Sequence, residues 1–278
     1  LPTTQGQRYK RETMKFIHKE QDEWPTPKFD ANDEPHFLFI ITPPFSGSTA
    51  LSQILNTSHR TMILHPKGEG QWLVPGLHEK DRWNPKKEVN YLSVKSTWLS
   101  VYQQVKLLTQ NVDVVIEKSP PNMVRIEKLS SQFRDCSFMA NNRSPYANCA
   151  SILYRNHDAD NLSPEKRKEV VNKLVKCWIM RSLKIQELIS SLHAPLLTYE
   201  EFCRNPESAI KILKTPDGVS ESINPYASIK VKEYEYQPIS DQNDRQIDML
   251  NDEDIEHINE SLSSNCELLN FYGYQLLK

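Results

Sequence analysis

Residues 36–55 read HFLFIITPPFSGSTALSQIL. His36 to Ile41 carry the β-branched and aromatic content of a strand buried on both faces. Thr42 to Gly47 break it with two prolines, a serine and a glycine. From Ser48 the pattern turns helical, with Leu51, Ile54 and Leu55 on one side. Strand, tight loop and helix in succession open a βαβ unit. Such a loop gathers backbone N–H groups and a positive helix end at one point, which makes an anion site. Ser46, Ser48 and Thr49 put hydroxyls beside it. The plainer alternative is ordinary helix capping by Ser48 or Thr49. A Walker A loop is not present, because no glycine precedes Gly47 in the loop and Ser48, not lysine, follows it.

Outward from this stretch, strands and helices alternate. Strands are expected at Thr61–Leu64, Val112–Glu117, Cys136–Ala140 and Ala194–Tyr199. Helices are expected at Tyr91–Thr109, Met123–Phe133, Pro164–Leu192, Glu200–Leu213 and Asp252–Leu269, with a further one opening at Ser144-Pro145. This alternation predicts an α/β fold with a mostly parallel central sheet flanked by helices. Residues 1–35 are polar and read as an N-terminal arm, and 36–278 as one α/β domain. Trp178 recurs with the apolar residues of its helix and reads as core. Trp72, Trp83, Trp98 and Tyr102 either line an apolar cavity or belong to the core.

The chain has 278 residues, with 34 Lys plus Arg against 36 Asp plus Glu, a formal charge of −2. That balance argues against a surface built to coat nucleic acid. No run reaches the length of a membrane span and no signal-peptide core is visible. Five scattered cysteines without a CxxC pair suit a reducing compartment, so a cytoplasmic setting is expected. Sequons at Asn56, Asn142 and Asn161 are read as unused. Leu1 in place of an initiating methionine suits a chain trimmed or cut from a longer one.

In a parallel sheet, the loops after Ile41, Leu64, Glu117 and Ala140 share one edge. This brings Ser46–Thr49, His65–Glu69, Lys118-Ser119 and Arg143–Ser151 around one crevice. Two anion sites follow: the loop–helix nest, and Arg143 with Ser151, where the guanidinium offers a planar fork.

At these residues the chain resembles the sulfotransferases that use 3′-phosphoadenosine 5′-phosphosulfate (PAPS). PFSGSTALSQIL resembles the family's 5′-phosphosulfate loop, and EKSPPNMVRIEKLSSQF the segment between its two phosphate sites. NRSPYANCAS resembles its 3′-phosphate site, with Arg143 and Ser151 eight positions apart. LLTYEEFCRNPESAIKIL and the terminal FYGY resemble two further segments, in the family's order. The resemblance implies a fold related to the P-loop nucleotide kinases. It also implies direct transfer of the sulfonate to a hydroxyl, less often an amine, leaving 3′-phosphoadenosine 5′-phosphate (PAP), with no metal. Phe45, Ser46, Gly47, Ser48, Thr49 and Ala50 would hold the 5′-phosphosulfate, Arg143 and Ser151 the 3′-phosphate, and Tyr199 the adenine.

One position departs from the family. Where lysine or arginine usually precedes Ser-Gly in the phosphosulfate loop, this chain has Phe45. The leaving phosphate still needs positive potential. Lys118 is the nearest candidate, ahead of Lys67, Lys95 and Lys230. Glu69 is preferred over His65 as the base, because Gly68 and Gly70 allow close approach of backbone and ligand. The expected arrangement has Lys118 and Glu69 acting from opposite ends of an in-line transfer. The acceptor is expected to be a small-molecule or carrier-bound hydroxyl, with no nucleic acid and no membrane. Two alternatives are a non-catalytic adenosine-nucleotide-binding relative and a P-loop-like small-molecule kinase.

Overall fold

The computed structural model describes residues 34–109, 111–231 and 235–278. The arm expected over residues 1–35 lies almost wholly outside them. Among the described residues, five strands form one sheet: β1 (His36–Ile41), β2 (Thr61–Ile63), β3 (Val114–Glu117), β4 (Cys136–Asn142) and β5 (Leu196–Thr198). Their spatial order is β2-β3-β1-β4-β5, and every neighbouring pair is parallel. The chain builds one half of the sheet through β2 and β3, then crosses β1 to build the other through β4 and β5. The loop after β1 therefore lies at the point where the winding reverses, where open α/β sheets keep their ligands.

The alternation within β1 assigns its two faces. Leu38 and Ile40 pack with Leu51, Ile54 and Leu55 of α1 (Ser48–Leu55). Phe37 and Phe39 pack on the other face with Phe133 and with Trp98 of α2 (Tyr91–Thr109). Trp98 and Tyr102 are thus core, and Trp178 is core beneath α5 (Pro164–Leu192) as expected. Each such side chain contributes about 1.5–3 kcal/mol by leaving water, so β1, buried along its whole length, is firmly anchored.

Several element boundaries differ from expectation. The helix expected over Met123–Phe133 is a 3₁₀ turn at Pro120–Val124 followed by α3 (Ile126–Gln132). The Asn122 side chain in that turn is committed to Glu117. β4 runs two residues beyond Ala140 and leads through Ser144 into α4 (Pro145–Asn156). Asn142 in that strand is fully buried and its amide donates to Ser182, so its sequon is closed to a glycan.

The single helix expected from Glu200 splits into α6 (Tyr199–Arg204) and α7 (Glu207–Lys211). Pro206 lacks the N–H that would carry it through. Between the helices expected at Glu200–Leu213 and Asp252–Leu269, a short further helix forms, α8 (Asn243–Ile247). The C-terminal run also divides, into α9 (Asp252–Ser263) and α10 (Cys266–Tyr272), at Ser264 and Asn265. Asn265 there bonds the Ser261 carbonyl with its own side chain, competing with the helix.

Candidate functional site

The first loop is shaped by its backbone. Phe45 (φ 64°) and Gly47 (φ 77°) are both left-handed, which reverses the chain between β1 and α1. A Cβ on Gly47 would lie 2.2 Å from the Tyr199 ring, so glycine is required for the loop to close on that ring. Neither Ser48 nor Thr49 caps the helix; Gly47 stands at the cap position and no side chain bonds the first turn. The first-turn N–H groups of α1 have no intrahelical partner, and Ser48, Thr49 and Ala50 of that turn line a cavity. From α4, the Asn148 amide donates to the Pro44 carbonyl at 2.8 Å and to Ser46 Oγ at 3.3 Å. Ser46 is consequently buried beneath the loop and does not line the cavity.

The second loop, after β2, is held by side chains. Buried Glu117 accepts the Gly70 N–H at 2.8 Å and the Ser119 N–H at 3.0 and 3.2 Å, with the Ser119 hydroxyl and Asn122 amide also donating. Trp98 Nε1 donates to the Gly70 carbonyl at 3.1 Å, and the Lys118 N–H to that of Gly68 at 3.0 Å. Gly68 is left-handed, and a Cβ there would press on Ser52 and the Lys118 stem.

The loop so placed brings Glu69 Oε1 to 3.0 Å from Lys118 Nζ, which also donates to Thr49 Oγ1 at 2.9 Å. Lys118 is only 2% exposed, so it is no solvated strand-end lysine. Burial pulls its ammonium pKa down, and the Glu69 charge offsets part of that. Burial by itself raises Glu69, but the Lys118 charge and bonds from Lys118, Gln71 and Trp72 outweigh it, so its carboxyl titrates below the ordinary value. The two side chains are in direct contact, which the expectation of roles at opposite ends of the transfer did not include.

His65 stands apart. Its Nδ1 accepts the Lys67 N–H at 3.2 Å, and it does not line the cavity, whereas Glu69 does. Burial, with the Lys67 charge, lowers its pKa, which keeps the ring neutral at pH 7.

The second anion position is built around Arg143, only 4% exposed. Its guanidinium lies over the Tyr199 ring at 4.2 Å, Nε donates to Asn243 Oδ1 at 2.8 Å, and Nη1 donates to the Phe45 carbonyl at 3.2 Å. Nη2 is buried and finds no partner among the described residues. Behind it, Glu200 accepts from Asn243, the Ser144 N–H and the Tyr274 hydroxyl. The Tyr199 ring is packed by Arg143 and the Gly47 turn, and its hydroxyl bonds the Ser240 carbonyl and the Gln242 N–H.

These parts share a cavity of about 740 Å³, lined by Phe45 and Gly47–Ala50, by Glu69 and Lys118, and by Arg143, Ser151 and Tyr199. Lys67 lines it too, its ammonium 5.0 Å from the centre of the Trp72 ring, as does Lys230. Lys95 does not; it bonds the Gln132 carbonyl at 2.7 Å. Arg155 joins the wall one helical turn beyond Ser151, a spacing readable in the sequence. Asn243 and Glu200 had no such signal, being joined to Arg143 only through the fold.

No family model matches the chain, and no curated protein matches it. Among solved structures it is similar to the sulfotransferase STF9 from Mycobacterium avium, at 15% identity and a TM-score of 0.50, over 98% of this chain and 83% of that one. It is likewise similar to a sulfotransferase from Alicyclobacillus acidocaldarius, at 13% identity and 0.50, over 87% and 97%. STF1 from Mycobacterium tuberculosis aligns at 11% and 0.50, over 83% and 77%. The chain has a sulfotransferase-like fold. Its parallel sheet, central β1 loop and flanking helices follow that architecture.

Proposed function

We propose that the protein transfers a sulfonate group from PAPS to a hydroxyl acceptor, less readily an amine, small or carrier-bound. The observation that carries the reading is the buried, unpartnered Nη2 of Arg143, in the same cavity as an uncapped helix N-terminus. An orphaned cationic donor in a protein interior is costly unless something fills it. A nucleotide with phosphates at both ends answers both features at once. Arg143 and Ser151 would take the 3′-phosphate, and the N–H groups from Gly47 to Ala50 the 5′ end.

The donor supplies an activated sulfonate; the chain supplies position, charge and a proton acceptor. Lys118, beside Thr49 at the mouth of the nest, would neutralise charge on the leaving oxygen as the sulfur–oxygen bond to phosphate breaks. Glu69, ionised at neutral pH, would receive the acceptor's proton as the new bond forms. Their ion pair favours the charged form of each against the cost of burial, and an entering acceptor hydroxyl would divide it. Phe45 supports a second reading, a nucleotide-binding relative without transfer. Incubation with sulfur-labelled PAPS and a mixed pool of hydroxyl acceptors separates the two. Label moving to an acceptor supports the enzyme, whereas tight PAP binding with label left wholly on the donor supports the relative.

A further inference from the structure

Glu117 belongs to neither half of the cavity, yet it is fully buried and accepts from four groups. Two belong to the residue after next, one to the 3₁₀ turn, and one, the Gly70 N–H, to a loop 47 residues away. The bonds continue outward. Ser119 Oγ accepts the Gln71 N–H at 3.2 Å, and Gln71 Nε2 donates to Glu69 Oε2 at 2.6 Å. The neighbour of Glu117 in the chain is Lys118. One carboxylate is thus bonded to the residue following the base on one side and is adjacent to the cation on the other.

We propose that Glu117 is a positioning residue for transfer, its carboxylate holding the Gly68–Trp72 loop on the end of β3 so that Glu69 meets Lys118. The inference rests on the sulfotransferase reading for what the pair does, though not for how the loop is held. Only an ionised carboxylate accepts from all four donors without offering a hydrogen of its own. Burial pushes the Glu117 pKa up to about 7, against the downward pull of the Ser119 and Gly70 bonds. The charged groups facing it are Glu69 from the loop and Lys118 from the strand end; Trp98 and Asn122, from the other packed elements, are neutral.

The sign follows. The folded pKa lies above the ordinary 4.5, so the contribution of this group to stability is present below that value and lost as pH rises through about 7. Loop order runs the other way, because it needs the ionised form. Loop order and the Glu117 share of global stability therefore move oppositely across neutrality, which a merely structural glutamate would not produce.

The test is amide hydrogen exchange at Gly70 and Gln71, corrected for the intrinsic pH dependence and read against the β1 amides. Protection of the two loop amides should fall as pH drops from 8 to 6 in the wild type, while that of the β1 amides holds or rises with global stability. Glu117→Gln should exchange faster at those amides at pH 8 and lose the pH dependence. Its single-turnover transfer should be down about 10²-fold, the scale of a small misplacement at the reacting centre, with PAP affinity held. Loop protection that is flat with pH in the wild type overturns the proposal, whether or not the variant folds. So does a variant with wild-type protection at pH 8. Absence of PAP binding would instead sink the donor reading and leave the loop result standing.

Discussion

The two loops facing each other across the cavity are built by different means. The loop after β1 is a main-chain object: two left-handed residues turn it, and Arg143 and Asn148 reach its carbonyls. The loop after β2 is a side-chain object, fixed by Glu117, Ser119 and Trp98 and ending in the Glu69–Lys118 pair. Backbone groups suit a ligand whose charge is constant, such as a phosphate. Ionisable side chains suit a step in which charge and protons move. The contrast also explains Phe45: in a loop whose binding groups are N–H donors, a side chain can change while the turn persists.

The largest effects should come from the side-chain loop. Glu69→Gln should lower single-turnover transfer by about 10²–10⁴-fold, the range for general base catalysis. The loss should shrink across a series of increasingly acidic hydroxyl acceptors. An unchanged dependence on acceptor acidity would move Glu69 out of the base role. Lys118→Met should cost about 10²–10³-fold in the same assay, the scale for one lost stabilising donor. Wild-type transfer in that variant would turn attention to Lys67, which also lines the cavity. Removing Glu69 leaves the buried Lys118 ammonium without its counter-charge, about 3–5 kcal/mol, whereas Glu69 without Lys118 keeps its bonds from Gln71 and Trp72. PAP binding serves in both cases as the check that the site still folds.

The smallest effect should fall on the main-chain loop. Phe45→Leu should change PAP affinity and transfer by no more than a few-fold, because the Phe45 carbonyl that accepts from Arg143 is kept. A loss as large as that of Lys118→Met would erase the distinction between the loops.

The same distinction governs what the sequence disclosed. The β1 loop and the Arg143–Ser151 interval were readable because each lies within one short segment, where strand, turn and helix signals are local. The choice of Glu69 over His65 rested on Gly68 and Gly70, and those glycines do shape the loop that presents Glu69. The contact between Lys118 and Glu69 was not readable, since it depends on Glu117 drawing two distant segments together. Nor was the Asn243–Glu200 support behind Arg143, since Asn243 lies 100 positions from Arg143 and 43 from Glu200 and only the fold joins them. Helix breaks at Pro206 and Asn265 were legible in kind, but the apolar spacing ran across both and hid them.

The central claim is that one cavity takes a nucleotide carrying a 3′-phosphate as well as a 5′-phosphate. Calorimetric titration of the protein with PAP and with AMP measures it directly. PAP should bind well over tenfold more tightly, since the charge-assisted bonds at Arg143 are each worth about 1.5–3 kcal/mol. Arg143→Ala should bring PAP down toward AMP while leaving AMP nearly unchanged. Equal affinities for the two nucleotides in the wild-type protein would contradict the account.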